Sequence, residues 1–131
     1  MADGEEPVQA PDWYDDIFAA VRRVPAGSVA TYGQIADDVR TVRVTARQVG
    51  AALRYAPADV PWQRIVGSGG RLPIAKRSPE LYILQRRLLA EEGVRFLVRR
   101  PDTVDMAACA AVVDDQGAAK QARRVPDVGI R

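Results

Sequence analysis

Two threonines fourteen residues apart, Thr31 and Thr45, each stand immediately before a short run of helical periodicity, and they constrain the fold more than any other feature. A threonine hydroxyl accepts from an unpaired backbone N–H at a helix start. Behind Thr31, residues 32–39 put Tyr32, Ile35, Ala36 and Val39 on one face. Behind Thr45 a helix is expected to run to about Tyr55, with Ala46, Val49, Gly50 and Leu53 inward and Arg47, Gln48, Ala51 and Arg54 outward. Two short helices with a tight connection, the second showing Arg and Gln to the outside, read as a helix-turn-helix. Gly50 and Ala51 lower helix stability but let a backbone approach closely, whether that backbone is another helix or DNA.

The flanking segments extend this reading. Pro11-Asp12 marks a first helix with Asp12 as N-cap and a stripe of Tyr14, Ile17, Phe18, Val21 and Val24, ended by Pro25-Ala26-Gly27. Downstream, Arg64-Ile65-Val66 and Arg71-Leu72 flank Gly67-Ser68-Gly69-Gly70, which predicts a hairpin, and a hairpin after a helix-turn-helix is a wing. Ser78-Pro79-Glu80 opens another helix with a core stripe of Leu81, Leu84, Leu88 and Leu89, stopped by Gly93. Residues 94–98 alternate like a strand, and 106–113 suggest a helix. The expected fold is mostly α with a small β wing, a winged helix-turn-helix over residues 11–100. A disordered segment, 1–10, precedes it, and an extension, 101–131, partly helical and then flexible, follows.

Charge and chemistry narrow the function. Residues 1–21 hold six acids and no bases, residues 22–100 fifteen bases and six acids, and residues 101–131 four bases and five acids. A basic middle suits a polyanion, nucleic acid first; on charge alone, a solvated Arg-rich surface explains the same numbers. With no histidine and a single cysteine, Cys109, the chain cannot build zinc sites, Cys-His or Ser-His catalysis, or an internal disulfide. No metal or cofactor is expected. The acidic N-terminus and the lack of a long apolar run point to a cytoplasmic, membrane-free protein, nucleoid-associated if bacterial.

Three segments carry a specific resemblance. They are Val24-Pro25-Ala26-Gly27-Ser28-Val29-Ala30-Thr31-Tyr32-Gly33-Gln34-Ile35-Ala36, Ala46-Arg47-Gln48-Val49-Gly50-Ala51-Ala52-Leu53, and Val60-Pro61-Trp62-Gln63-Arg64-Ile65-Val66. In this order and spacing they resemble the DNA-binding domain of methylguanine-DNA methyltransferases, over roughly residues 12–98 and on into Leu88-Leu89-Ala90-Glu91-Glu92-Gly93. That family reads Pro-Cys-His-Arg at the third segment, and its cysteine takes the alkyl group from guanine irreversibly. Here Trp62 stands at the cysteine position and Gln63 at the histidine position. An indole is no nucleophile, and an amide exchanges no proton near neutral pH. Trp at this position marks the alkyltransferase-like proteins, although those typically keep the histidine.

The resemblance implies roles position by position. Arg47 matches the arginine inserted into the base stack where the damaged nucleotide leaves, a job suited to a guanidinium. Tyr32 matches the tyrosine that helps rotate the phosphate and walls the pocket. Thr45, Ala46, Gln48 and Gly50 match positions against the DNA backbone, with Ala51 and Arg64 added to the expected DNA surface, and Ser68 matches a wing residue near the extruded nucleotide. Arg77 is the candidate for the arginine that stacks on the modified base, with Arg71 and Lys76 as alternatives. Ala56 replaces an asparagine of the transferases, removing one hinge hydrogen bond. Glu92 matches the third member of the Cys-His-Glu relay, left with a structural role such as pairing an arginine.

The implied function is a monomeric, non-enzymatic sensor. It flips O6-alkylguanine from double-stranded DNA into a pocket around Trp62 and directs the site to nucleotide excision repair proteins. Flipping costs a few kcal/mol; stacking on Trp62 returns about 1–3 kcal/mol and a cation about 0.5–2 kcal/mol. Two other functions remain at this point: residual alkyl transfer through Cys109, and sequence-specific binding as a winged-helix transcription factor.

Overall fold

The computed structural model describes residues 12–113 and 119–121. The segment 1–10, expected to be disordered, and the tail beyond 121 lie outside the described residues.

Helix α1 (Asp12–Arg22) begins at Asp12 itself rather than being capped by it, and buries Ile17, Phe18, Ala20 and Val21. Asp12 and Asp15 in its first turn and Arg22 in its last complement the helix dipole. Strand β1 (Ala30–Thr31) leads directly into α2 (Tyr32–Asp38), and a loop joins α2 to α3 (Ala46–Leu53). At seven and eight residues neither helix would hold alone in water. Both are closed by reciprocal capping. Thr31 Oγ1 accepts from Gln34 N at 3.0 Å while Thr31 N donates to Gln34 Oε1 at 2.8 Å, and Thr45 and Gln48 repeat the pattern at 3.1 and 2.8 Å. Packing then does the larger share. Ile17, Val21, Ile35, Val49 and Ile65 meet in a first core among α1, α2 and α3. The inward stripe of α3 is Val49 and Ala52; Ala46, expected inside, is exposed in the first turn.

The glycine-rich segment does not close the expected hairpin. Strand β2 (Ile65–Val66) pairs in parallel with β1, Ala30 opposite Ile65 and Thr31 opposite Val66. Ile65 and Val66 are both buried, which a two-stranded hairpin standing on the surface could not achieve. The 3-10 turn Ser68–Gly70 is closed locally by Arg71 and fastened to residues 103–104. Gly67 N donates to Arg71 O at 2.7 Å, Val104 N donates to Gly70 O at 2.8 Å, and Arg71 bridges Thr103. Gly70 has φ +91, and a Cβ there would lie 2.5 Å from Val104 O, so only glycine fits.

Helix α4 (Pro79–Glu91) starts as expected, with Pro79 in its first turn and Ser78 Oγ accepting from Leu81 N at 3.2 Å. Its buried side chains are Gln85 and Leu89, whereas Leu81 is exposed, so the all-leucine core stripe is corrected. Residues 94–98 make a single bridge, Phe96 to Val104, rather than a strand. The helix expected over 106–113 is only α5 (Met106–Cys109), followed by β3 (Ala111–Val113), antiparallel to β4 (Ala119–Gln121). Val112 and Val113 are β-branched and favour the strand. Val29, Val66, Leu89, Val104 and Cys109 form a second core. No break in packing therefore falls at residue 100, because the first residues of the expected extension complete this core.

Candidate functional site

The 3-10 turn Trp62–Arg64 sits between Pro61 and β2 and has two unlike sides. On the inner side the turn is held by a network of hydrogen bonds. Gln63 Nε2 donates to Glu92 Oε2 at 2.9 Å, Arg64 Nη2 donates to the same oxygen at 3.0 Å, and Arg64 Nε donates to Glu92 Oε1 at 3.1 Å. Arg64 Nη1 donates to Val24 O at 2.9 Å. From α4, the buried Gln85 Nε2 donates to the carbonyls of Gln63 and Ile65, both at 3.1 Å, and so clamps the turn at its middle and its exit. Arg64 and Glu92 are 18% and 17% exposed at their side chains. Arg64, expected on the DNA surface, is therefore turned inward as a structural ion pair, because Glu92 is held in reach by the end of α4. Glu92 pairs an arginine, as its position suggested. Gln63 supplies it with a neutral donor, which can hold a carboxylate but not relay a proton.

On the outer side, Trp62 forms part of the wall of a pocket of about 480 Å³, within the size range of small-molecule sites. Tyr32 at the start of α2 and Gly50, Leu53 and Arg54 of α3 stand on one side. Ile74 of the 3-10 turn Pro73–Lys76, Arg77 just after it, and Leu81, Leu84 and Gln85 of α4 stand on the other. Burial pushes the Tyr32 phenol above its usual range, opposed by the Arg77 guanidinium, so the hydroxyl remains protonated and able to donate at neutral pH. At Gly50 a Cβ would lie 3.9 Å from Tyr32 Cε1, an ordinary contact. Gly50 thus belongs to the pocket wall rather than to a helix crossing too tight for alanine.

The structure brings together Trp62, Tyr32, Gly50, Ala56 and Arg77, and leaves other expected residues elsewhere. Arg71 and Lys76 are exposed and outside the wall, so Arg77 is the pocket arginine of the three. Ser68, expected in the pocket, is exposed on its own turn outside the wall, because the glycine-rich segment folds against residues 103–104. Arg47, Ala46 and Ala51 are exposed on α3, and Thr45 and Gln48 of the same face are engaged with each other as the cap. Sequence reasoning missed Arg54, Leu81, Leu84 and Gln85 as pocket residues. The signal available was Gln85 itself, a polar side chain interrupting the leucine stripe of α4. Cys109 is fully buried in the second core, outside the pocket wall, where Sγ accepts from Arg95 N at 3.4 Å. No described helix is long and apolar enough to cross a membrane.

Similarity to known proteins follows the same boundaries. Residues 12–94 match the family described as 6-O-methylguanine DNA methyltransferase, DNA binding domain. The chain is 38% identical over 88 residues to alkyltransferase-like protein 1 of Schizosaccharomyces pombe, covering 65% of this chain and 79% of that one. It is 34% identical over 93 residues to the DNA base-flipping protein of Escherichia coli, 69% of each chain. Among solved structures, S. pombe Atl1 in complex with damaged DNA containing O6-carboxymethylguanine superposes with a TM-score of 0.58 at 26% identity, over 92% of this chain and 95% of that one. The O6-methylguanine methyltransferase of Mycobacterium tuberculosis superposes with a TM-score of 0.53 at 28% identity, over 66% and 51%.

Proposed function

The chain belongs to the 6-O-methylguanine DNA methyltransferase DNA-binding-domain family, and from that premise we propose that it is a non-enzymatic sensor of O6-alkylguanine in duplex DNA. The observation that carries this reading is the Trp62 indole in the wall of a pocket that Gly50, Leu53 and Arg54 at the C-terminal half of α3 also line. In the proposed complex α3 enters the minor groove and Arg47, exposed near its start, fills the gap in the base stack. The extruded nucleotide turns past the protonated Tyr32 hydroxyl, and its base lies against Trp62 with Arg77 alongside. Aromatic stacking and the cation together offset most of the few kcal/mol that extrusion costs.

Transfer of the alkyl group has no agent in this arrangement. Position 62 offers a π-face instead of a thiolate, Gln63 is a fixed amide, and Cys109 is buried away from the pocket. A protein that holds a lesion without removing it must pass it on. We place it, as a monomer in the cytoplasm or on the nucleoid, upstream of nucleotide excision repair proteins.

Titration of the protein with two identical duplexes, one carrying a single O6-methylguanine, tests the proposal. Tighter binding to the modified duplex is expected, and equal affinities would point to a winged-helix protein that reads sequence. Trp62→Ala should abolish the preference, and Arg47→Ala should weaken binding to both duplexes. Intact-mass measurement after incubation should show no added methyl group; a gain of one methyl would overturn the non-enzymatic reading.

A further inference from the structure

Ile83, Leu97 and Val98 are exposed apolar side chains, at 64%, 36% and 96%, and none belongs to the pocket wall. Arg86 joins the two elements that carry them. Its guanidinium lies 4.6 Å from the Phe96 ring centroid, and its Nε donates to Pro101 O at 2.8 Å. Ile83 stands one turn before Arg86 on α4, about 200° round the helix from Leu81 of the pocket wall. The backbone beside them has an unused edge. Phe96 and Val104 form an antiparallel bridge, with Leu97 N donating to Thr103 O at 2.8 Å and Asp105 N donating to Arg95 O at 2.9 Å. In that pattern the N–H and C=O of Phe96 itself point away from Val104. Among the described residues these groups form no hydrogen bond, and neither do the backbone groups of Val98. The segment is nonetheless held in place, since Arg100 N donates to Leu97 O, Thr103 N to Arg100 O and Val104 N to Gly70 O. A fixed edge with open backbone groups and apolar side chains beside it is a template for another strand.

We propose that the edge formed by residues 96–98 docks an extended, acidic strand of a partner protein by β-augmentation. Charge chooses the occupant. Residues 95–102 hold Arg95, Arg99 and Arg100 against one acid, Asp102, and Arg86 and Arg87 border them from α4. A second copy pairing edge to edge would set these arginines against their own counterparts, which disfavours it. The chain's own acidic N-terminal residues precede α1, whose Tyr14 stacks on Tyr55 beyond α3 and belongs to the first core, whereas Phe96 packs on the second. A DNA phosphate suits the arginines, but the Phe96 carbonyl repels it and it gains nothing from Ile83 or Val98. A strand alternating acidic and apolar residues uses all three features: backbone pairing at Phe96, apolar contact at Val98 and Ile83, and the basic rim. The inference does not depend on the lesion reading, which concerns another face of α4.

A short fluorescent peptide alternating valine and glutamate, titrated into the full chain, tests the proposal. Two copies serve as controls, one with lysine for glutamate and one methylated at every backbone nitrogen. The valine–glutamate peptide is expected to bind, and each control to bind at least about tenfold more weakly, the order of one hydrogen bond. At saturation, amide exchange at Phe96 and Val98 should slow by about tenfold or more, as it does when an open N–H finds an acceptor. Val98→Glu, at a site too exposed to disturb folding, should weaken the peptide by about tenfold through like-charge repulsion and leave duplex affinity unchanged. No binding of the valine–glutamate peptide, or equal binding of the methylated copy, would overturn the inference. Binding without slower exchange at Phe96 would mean adhesion to arginines and would overturn it as well. Displacement of the peptide by unmodified duplex would assign this surface to DNA instead. No lesion enters the experiment, so its failure and the failure of the lesion reading are separate results.

Discussion

The two sides of the Trp62–Arg64 turn treat charge in opposite ways. Inside, Arg64 and Glu92 are largely withdrawn from water, and each is held by hydrogen bonds to the fold. Outside, Arg54 and Arg77 line a pocket with no protein partner among the described residues. A buried charge without a partner is costly, so the fold pairs it; a charge at a pocket rim is solvated and can wait for a ligand. The difference separates residues that hold the site from residues that use it. It also reassigns the remnant of the methyltransferase relay. The resemblance assigns Gln63 and Glu92 to relay positions, and in the structure their bond fastens the turn that presents Trp62.

If that division is right, variants on the inner side should lose stability, and those on the outer side should lose binding. The largest effect is expected for Glu92→Ala, which strands Arg64 in a half-buried place and should cost about 3 kcal/mol in urea unfolding. A loss under about 1 kcal/mol would show that water rescues Arg64 and that the pair is not the anchor of the turn. Gln85→Leu leaves the Gln63 and Ile65 carbonyls without their donor and should cost about 2 kcal/mol. In a Trp13→Phe background it should also shift Trp62 emission, because the clamp fixes where the indole stands. Unchanged emission would mean that Pro61 and β2 alone set that position.

The Tyr32 titration gives a smaller signal. Its folded pKa is raised above the unfolded value, so the stability it contributes is complete below about pH 10 and falls as pH rises through the folded value. Tyr32→Phe should remove that alkaline loss, and Arg77→Gln should deepen it and extend it to higher pH, since the guanidinium opposes the shift. Smallest of all is Arg77→Gln at neutral pH, expected within about 0.5 kcal/mol of the parent by the same unfolding measurement. A loss near that of Glu92→Ala would erase the contrast between the two sides.

Much of the frame was legible locally. Thr31 and Thr45 announced α2 and α3, Ser78-Pro79 announced α4, and Trp62 marked the turn that lines the pocket. Caps, prolines and the identity of a side chain at a motif position act over three or four residues, so the chain itself carries them. Partners distant in the chain were not legible. The glycine-rich segment looks like a hairpin because its flanks alternate, but Ile65 and Val66 find β1 instead, more than thirty residues earlier. Parallel pairing with a buried neighbour hides both faces of a strand from water, and no local pattern encodes the neighbour. Helix α4 shows the same limit. Periodicity names a stripe but not what covers it, and only packing decided that Leu89 meets the core while Leu81 and Leu84 face a pocket. The sequence alone determined that position 62 carries an indole and no nucleophile. Tertiary structure decided what surrounds it, by bringing Tyr32, Arg54, Trp62 and Arg77 from separate elements around one cavity, which long-range packing alone can do.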